Sequence, residues 1–349
     1  MNRVPLLLAN PSLCFRLRVL RDLLKRPADD PEVLEFEKMR LNDPLVTGIL
    51  NKQADDGSWK ATDFQRSVSG NPVRVTAFML VRLAFLGFSA ELAEIKNAAE
   101  FIFSRQQPDG SWQFAGDEED SEESGVSPGS KYSMIPLQTA LPLRGLAACG
   151  LGTDPRAERA YEWLLAKRLE DGAFPAGIAG GNYGYIAGYR KMPHSRWGCR
   201  SNTTGALFCL AYHENRRSGL AARRALDMLL ARETFEKHTL GFEASRMIGC
   251  EPARGTFTFY AKYDVSAILD LCGRIGASRD DPRVVQLIQF VSDMQGKYGM
   301  WEYIQKPQAS PWVTFFLLHS LSRIAPESDW LSFEPRTPFQ GYPGALRRY

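Results

Sequence analysis

The stretch KMPHSRWGCRSNTTG (191–205) gathers His194, Arg196, Trp197, Cys199, Arg200, Asn202 and Thr203 just ahead of an apolar run. A histidine and a cysteine could serve as base and nucleophile, because a thiol becomes reactive once a neighbouring base takes its proton. They are also zinc-ligand types, but two ligands make no site, and no metal is expected. Arg200, with Arg74 and Lys262, could hold an anionic head group such as a carboxylate or diphosphate. Trp197 and, further along, Trp312 are candidates for contact with a substrate. Each of these residues also has a structural reading: a surface ion pair, a hydrogen-bonded histidine, a packed ring.

Two other stretches draw the eye and fail on detail. GIAGGNYGYIAGY (177–189) is rich in glycine and aromatics, but it lacks the Gly-Lys-Ser/Thr ending of a phosphate-binding loop, and no strand precedes it. It reads as a flexible loop, in the position of a lid. GDEEDSEESGVSPGS (116–130) is acidic but too crowded and unpatterned for a calcium loop, and reads as a mobile surface insertion. Serine-hydrolase signatures, dinucleotide glycines and nucleic-acid modules are absent.

Composition limits the partners. The 349 residues carry a net charge of +3, too little to argue for nucleic acid or an anionic membrane. Six cysteines are scattered without a C-x-x-C pair, as buried reduced thiols would be. No apolar run reaches the roughly 20 residues of a membrane span. The ends, MNRVPLLLANPS and GALRRY, show neither a cleavage site nor a lipidation box, so a cytoplasmic location is the expectation.

The elements that must position these residues announce themselves by repetition. NKQADDGSW ends at Trp59 and RQQPDGSW at Trp112. Weaker copies follow at EDGAF (Phe174), LGF (Phe242) and YGMW (Trp301), giving steps of 53, 62, 68 and 59 residues. No strand pattern fills the intervals, and each suits two helices with their connections. Before the motifs, Asp30-Pro31, Asp43-Pro44, Asp154-Pro155 and Asp281-Pro282 supply a capping carboxylate and a proline fit for the first helical position. After them come helices apolar nearly all round: 71–87, 133–150, 201–213, 260–276 and 310–323. Asn71-Pro72, Ser201-Asn202 and Ser310-Pro311 read as the starts of three of these. Pro136 and Pro142 predict a kink or delayed start in another. Amphipathic outer helices thus alternate with buried inner ones. An open solenoid and a closed barrel both satisfy the pattern; the long step and the apolar inner helices favour closure.

The units Gln53…Gly57-Ser58-Trp59, Gln106/Gln107…Gly110-Ser111-Trp112 and Gln295…Gly299-Met300-Trp301 resemble the Gln-Trp repeats of squalene-hopene and oxidosqualene cyclases, and related repeats of protein prenyltransferase β subunits. The resemblance covers most of residues 40–325. It implies an all-α, α/α6 toroid whose Gln-Trp turns clamp helix ends outside, while inner-helix N-termini face a central cavity. The domain reading that follows is an N-terminal helical cap over 1–40, the toroid over 41–325 and a packing tail over 326–349. The motifs themselves are structural in that family, so DGSW reads as a helix terminator rather than a site.

Class II terpene cyclases place Asp-x-Asp-Asp-Thr-Ala at an inner-helix start, its middle Asp protonating an alkene or epoxide. Laid on Lys262-Tyr263-Asp264-Val265-Ser266-Ala267, this motif puts Asp264 at the middle position, while Lys262 and Val265 replace the flanking acids. Such a donor needs a carboxyl held protonated in a dry site. Tyr260 and Tyr263, with Phe257 and Phe259, could line it, or simply pack in the core. The prenyltransferase zinc set (Asp, Cys, His) is not reproduced: Ser266 stands for the cysteine, the histidine position falls near Val313, and His319 lies too far along. The resulting expectation is a terpene cyclase-like enzyme, without cofactor, acting on an apolar isoprenoid-type small molecule. Asp264 is its first catalytic candidate, with His194 and Cys199 as a second cluster. Arg200, Trp197, Tyr260, Tyr263, Trp312 and Arg74 would bind substrate. The alternatives are a non-catalytic toroid that binds a lipid, peptide or protein, and a carbohydrate-active α/α-toroid enzyme.

Overall fold

The computed structural model describes residues 1–63, 71–112, 136–179, 182–184, 191–231, 239–251 and 264–334. Tyr260, Tyr263, Phe257, Phe259, Lys262 and the acidic stretch 116–130 lie outside them. Among the described residues the structure is all-α apart from one short hairpin, and the chain forms two compact units. One comprises 1–48, 234–251 and 263–349; the other comprises 49–233 and 252–262. We call them the terminal and middle units. In chain order the helices are α1 (Val4–Leu8), α2 (Leu13–Arg18), α3 (Pro31–Met39), α4 (Pro44–Leu50), α5 (Pro72–Phe85), α6 (Ala93–Phe103), α7 (Pro136–Ala148), α8 (Pro155–Ala166), α9 (Arg200–Tyr212), α10 (Leu220–Leu230), α11 (Phe242–Met247), α12 (Val265–Ile275), α13 (Pro282–Asp293) and α14 (Ser310–Ile324).

The Asp-Pro starts are real. Asp30, Asp43, Asp154 and Asp281 each accept a hydrogen bond from a first-turn N–H of α3, α4, α8 and α13. Asn71 does the same for α5 through Val73 and Arg74. These side chains satisfy donors that a helix start leaves without internal partners. Two expected starts move by a residue or more. α9 is preceded by Cys199 in extended conformation, whose N–H is pinned by the Phe174 carbonyl at 2.8 Å, so helix begins at Arg200. At α14 the Ser310 hydroxyl accepts from the Tyr303 N–H and does not cap. α7 starts on Pro136 and carries Pro142 inside it. Pro142 has no N–H to give the Gln138 carbonyl four residues back.

The hairpin is a departure from the strandless reading of the intervals. Gly177–Ala179 (β1) pairs antiparallel with Asn182–Gly184 (β2), with Ile178 opposite Tyr183. Three-residue strands are too short to leave an alternation in sequence.

The DGSW motif proves to be a clamp on three helices. The Trp59, Trp112 and Trp301 rings are buried, and each indole N–H donates to a carbonyl ten residues earlier: Ile49, Ile102 and Val291. These carbonyls lie in the last turn of a preceding outer helix, where each also accepts a backbone N–H from three residues on: Lys52, Arg105 and Met294. The backbone N–H of each tryptophan donates to a threonine hydroxyl near the start of the following inner helix: Thr76, Thr139 and Thr314. Phe174 uses Thr203 in the same way. In the middle unit the glutamine closes the set: Gln53 Nε2 donates to the carbonyls of Gly57 and Glu94, and Gln106 Nε2 to those of Gly110 and Arg156. Each therefore reaches the first turn or start of the next outer helix. Thr139→Val, of nearly equal volume, leaves the buried Trp112 N–H without an acceptor. It is expected to lower unfolding free energy by about 1–3 kcal/mol in a urea titration, with Thr139→Ser restoring most of it.

In the middle unit the inner helices α5, α7 and α9 lie side by side, α5 and α7 running parallel. A Cβ on Gly145 would sit 2.7 Å from the Ala77 carbonyl oxygen, and Cys149 Sγ lies 3.4 Å from the Leu80 carbonyl. On the other flank Cys209 Sγ is 2.9 Å from the Ala140 carbonyl. The terminal unit packs α12 on α14, with Gly273 against Ser320 and Arg323. Phe15 of α2 meets the Trp312 ring edge-on at 4.7 Å. Arg3 ties the chain start to this unit by donating to the carbonyls of Gly299, Trp330 and Ser332.

Candidate functional site

Asp264 is the N-cap of α12 and is 0 % exposed. Its Oδ1 accepts from the Gly241 N–H at 2.9 Å, the Ser266 N–H at 3.0 Å and the Ser266 hydroxyl at 2.6 Å. Its Oδ2 accepts from the Glu243 N–H at 2.6 Å, leaving a lone pair for a proton. At this repeat Asp264 holds the glycine-aromatic turn, a task that threonines perform elsewhere. Burial pushes the carboxyl up to about 6 from an ordinary 3.8, while the hydrogen bonds from Glu243, Ser266 and Gly241 oppose the rise and the Glu243 carboxylate adds to it. Glu243, itself buried, pairs with the buried Arg246 at 3.1 Å.

That shift fixes a sign. The folded value lies above the unfolded one, so the folded chain holds an extra proton between about pH 4 and pH 6, and the Asp264 contribution to stability falls as pH rises through that window. A rise of that size is worth about 3 kcal/mol. The stability of wild type relative to Asp264→Asn is expected to drop by up to about that amount between pH 4 and 6 in urea titrations; a flat difference would refute it.

The 191–205 stretch does not assemble as a catalytic pair. His194 is exposed, Cys199 is 2 % exposed, and no hydrogen bond joins them. Trp197 is half-buried, 6.5 Å from the Tyr183 ring, with the Arg196 guanidinium 5.2 Å from its centroid. Trp312 is buried against Phe15. Arg74 and Arg200 are buried in the first turns of α5 and α9. His319 stacks beside Phe315 at 5.6 Å, and burial, followed by the charges of Arg323 and Arg18, drives its pKa far down. Among the described residues no group of three or more His, Cys, Asp or Glu side chains is placed to hold a metal. Nor is any helix among them long and apolar enough to cross a membrane.

One residue was missed in the sequence. Gln138, in the first turn of α7, is 2 % exposed, and neither its amide nitrogen nor its amide oxygen has a hydrogen-bond partner. The available signal was a lone polar residue ahead of Thr139 in an otherwise apolar helix start.

The family model of the squalene-hopene cyclase C-terminal domain matches residues 36–185. Over that stretch the chain is terpenoid cyclase-like, and the clamps at Trp59 and Trp112 lie inside it. No curated protein matches the chain. Among solved structures, a variant of the type II terpene cyclase MstE from Scytonema, in complex with geranylgeranyl dihydroxybenzoate, is 18% identical over 79% of this chain and 70% of its own, with a TM-score of 0.47. The same cyclase without ligand is 15% identical over 81% and 96%, at 0.34. A protein from Actinoplanes is 14% identical over 80% and 97%, at 0.34.

Proposed function

We propose that this protein is a terpene cyclase-like enzyme that acts on an apolar, isoprenoid-type substrate, with Asp264 as the proton donor that starts cyclisation. The observation that carries the reading is the Asp264 carboxyl: completely buried, pushed up to about 6, and ringed by donors. Burial favours the protonated form before reaction. The same donors favour the carboxylate once the proton has left, so the group is a strong acid in the minor fraction, about a tenth, that is protonated at pH 7, and it is mostly protonated only below about pH 6. The similarity of residues 36–185 to the squalene-hopene cyclase C-terminal domain supports the substrate class.

A second reading has one observation behind it. Asp264 caps α12 and holds the 241–243 turn, which a purely structural carboxylate in a non-catalytic binding protein would also do. Mass spectrometry of compounds that copurify with the full chain, followed by assay of acyclic isoprenoids with wild type and Asp264→Asn, separates the two. A retained isoprenoid and turnover lost in the variant support the enzyme; a bound sugar or a stoichiometric metal overturns it.

A further inference from the structure

His319 has no part in the Asp264 chemistry, yet it lies in the same terminal unit. Trp312, Phe315 and His319 follow one another at i, i+3 and i+7 on α14, the spacing of one helix face. That face meets α2. Phe15 sets its ring edge-on to Trp312 at 4.7 Å and to Phe315 at 5.7 Å. One turn on, the Arg18 guanidinium lies 4.9 Å from the Phe315 centroid. The His319 ring, 5.6 Å from Phe315 and one turn further along α14, comes level with the chain that follows Arg18.

That chain is not ordinary helix. Val19–Leu23 is a π-helical turn, closed by the Leu24 N–H on the Val19 carbonyl at 3.0 Å. Lys25 then takes φ +54°, a left-handed conformation that a residue with a Cβ adopts only at a cost. Such features persist where neighbours hold them in place, and α14 packs on this turn.

Cations approach the imidazole from three elements. Arg323 stands one turn beyond it on α14, Arg18 and Lys25 come from α2 and the π-turn, and Arg274 comes from α12; all four oppose a positive charge there. The carboxylates on these elements are engaged. Asp22 bonds Arg18 at 2.7 Å, and Asp270 bonds Arg274 at 2.7 Å and Arg323 at 3.0 Å. Arg21 of the π-turn pairs with Glu37. α11 packs at the other end of α14, where Gly241 meets Val313, and its Glu243 pairs with Arg246. Among the described residues no carboxylate bonds a ring nitrogen of His319, and the residue is 8 % exposed, so it is not sealed from water.

We propose that His319 is an acid-sensitive latch: a proton taken up by its imidazole drives α14 from Arg18 and Lys25 and frees the π-turn. Burial first, then the charges of Arg323, Arg18, Arg274 and Lys25, holds the folded value well below the ordinary 6.5. The folded chain therefore binds fewer protons than the unfolded one. This part of its stability is complete above pH 6.5 and is lost as pH falls below it. Asp264 slopes the other way, so acid loads that carboxyl and loosens the unit that holds it. The latch stands whether or not Asp264 is catalytic.

The test is urea unfolding of the full chain at pH 7.5 and 5.0, with wild type, His319→Gln and His319→Phe, the last of which keeps a ring beside Phe315. Asp264 and the other histidines are common to all three, and a packing loss in a variant is the same at both pH values. Between these pH values the unfolding constant of wild type should rise at least about tenfold relative to either variant, since one proton is worth up to about tenfold per pH unit below 6.5. Hydrogen exchange of wild type, corrected for its intrinsic pH dependence, locates the effect without any variant. On acidification the amides of 19–26 should lose at least about fivefold more protection than those of α8 in the middle unit. A smaller change in either measurement overturns the latch.

Discussion

Asp264→Ala is expected to lower stability by about 3 kcal/mol at pH 7, and by more near pH 4. Three buried amides, those of Gly241, Glu243 and Ser266, lose their acceptor at once. Each such loss costs about 1–3 kcal/mol. At pH 7 part of this is offset, because the wild-type carboxylate is ionised there against its burial, a penalty of about 3 kcal/mol from the upward shift. At pH 4 wild type is protonated and carries no such penalty, so the difference widens. Urea unfolding at the two pH values measures both numbers. Asp264→Asn keeps one acceptor oxygen for Gly241 and Ser266 and turns an amide group toward the Glu243 N–H, so its stability loss is smaller. Its turnover should nonetheless fall by at least about 10³-fold, since the reaction's acid is gone. A folded Asn variant with wild-type turnover would remove Asp264 from catalysis while leaving its capping role intact.

The second large effect belongs to the clamp. Gly57 has φ +85°, and a Cβ there would lie 2.4 Å from the Asn97 carbonyl oxygen and 2.6 Å from its carbon. Both obstacles are backbone of α6, which cannot swing aside as a side chain could. Gly57→Ala therefore combines a left-handed conformation with an overlap between turn and helix. Together these should cost about 3–5 kcal/mol, near the upper end for a single substitution. Gly150 separates the two contributions. It has φ +87°, but a Cβ there would meet nothing within 4 Å, so Gly150→Ala should cost only the conformational part, about 1 kcal/mol. If the two variants unfold at the same denaturant concentration, the close approach of the turn to α6 carries no weight.

These two sites mark how far the sequence reaches. Helix starts at Asp30, Asp43, Asn71, Asp154 and Asp281 were legible because a cap acts on N–H groups two or three residues away, and such local geometry is written in adjacent letters. The recurrence of Gly-x-aromatic was equally plain, and it carried the family resemblance. What the turns hold was not. The tryptophan N–H finds a threonine 17 residues on at Thr76, 27 at Thr139 and 13 at Thr314, and no fixed spacing could have announced that partner.

The candidate site divides along the same line. Asp264 was singled out by laying the motif of the resembling cyclases on Ser266 and Ala267, but its state depends on residues 241–243, brought near only by folding. His194 and Cys199 stand five places apart, yet one faces solvent and the other the interior, a distinction that no count of residues contains. Gln138 looked like one more polar letter; its significance is the absence of any partner, which exists only once every neighbour has taken its place. By itself, then, the sequence determined the all-α class, the helix starts that carry an Asp-Pro or Asn-Pro cap and the repeated turn, because these follow from short-range hydrogen bonding and periodic burial. The tertiary structure decided which polar groups are satisfied, which are charged and which are left waiting, because desolvation and hydrogen-bond closure are properties of packed surroundings and not of neighbouring letters.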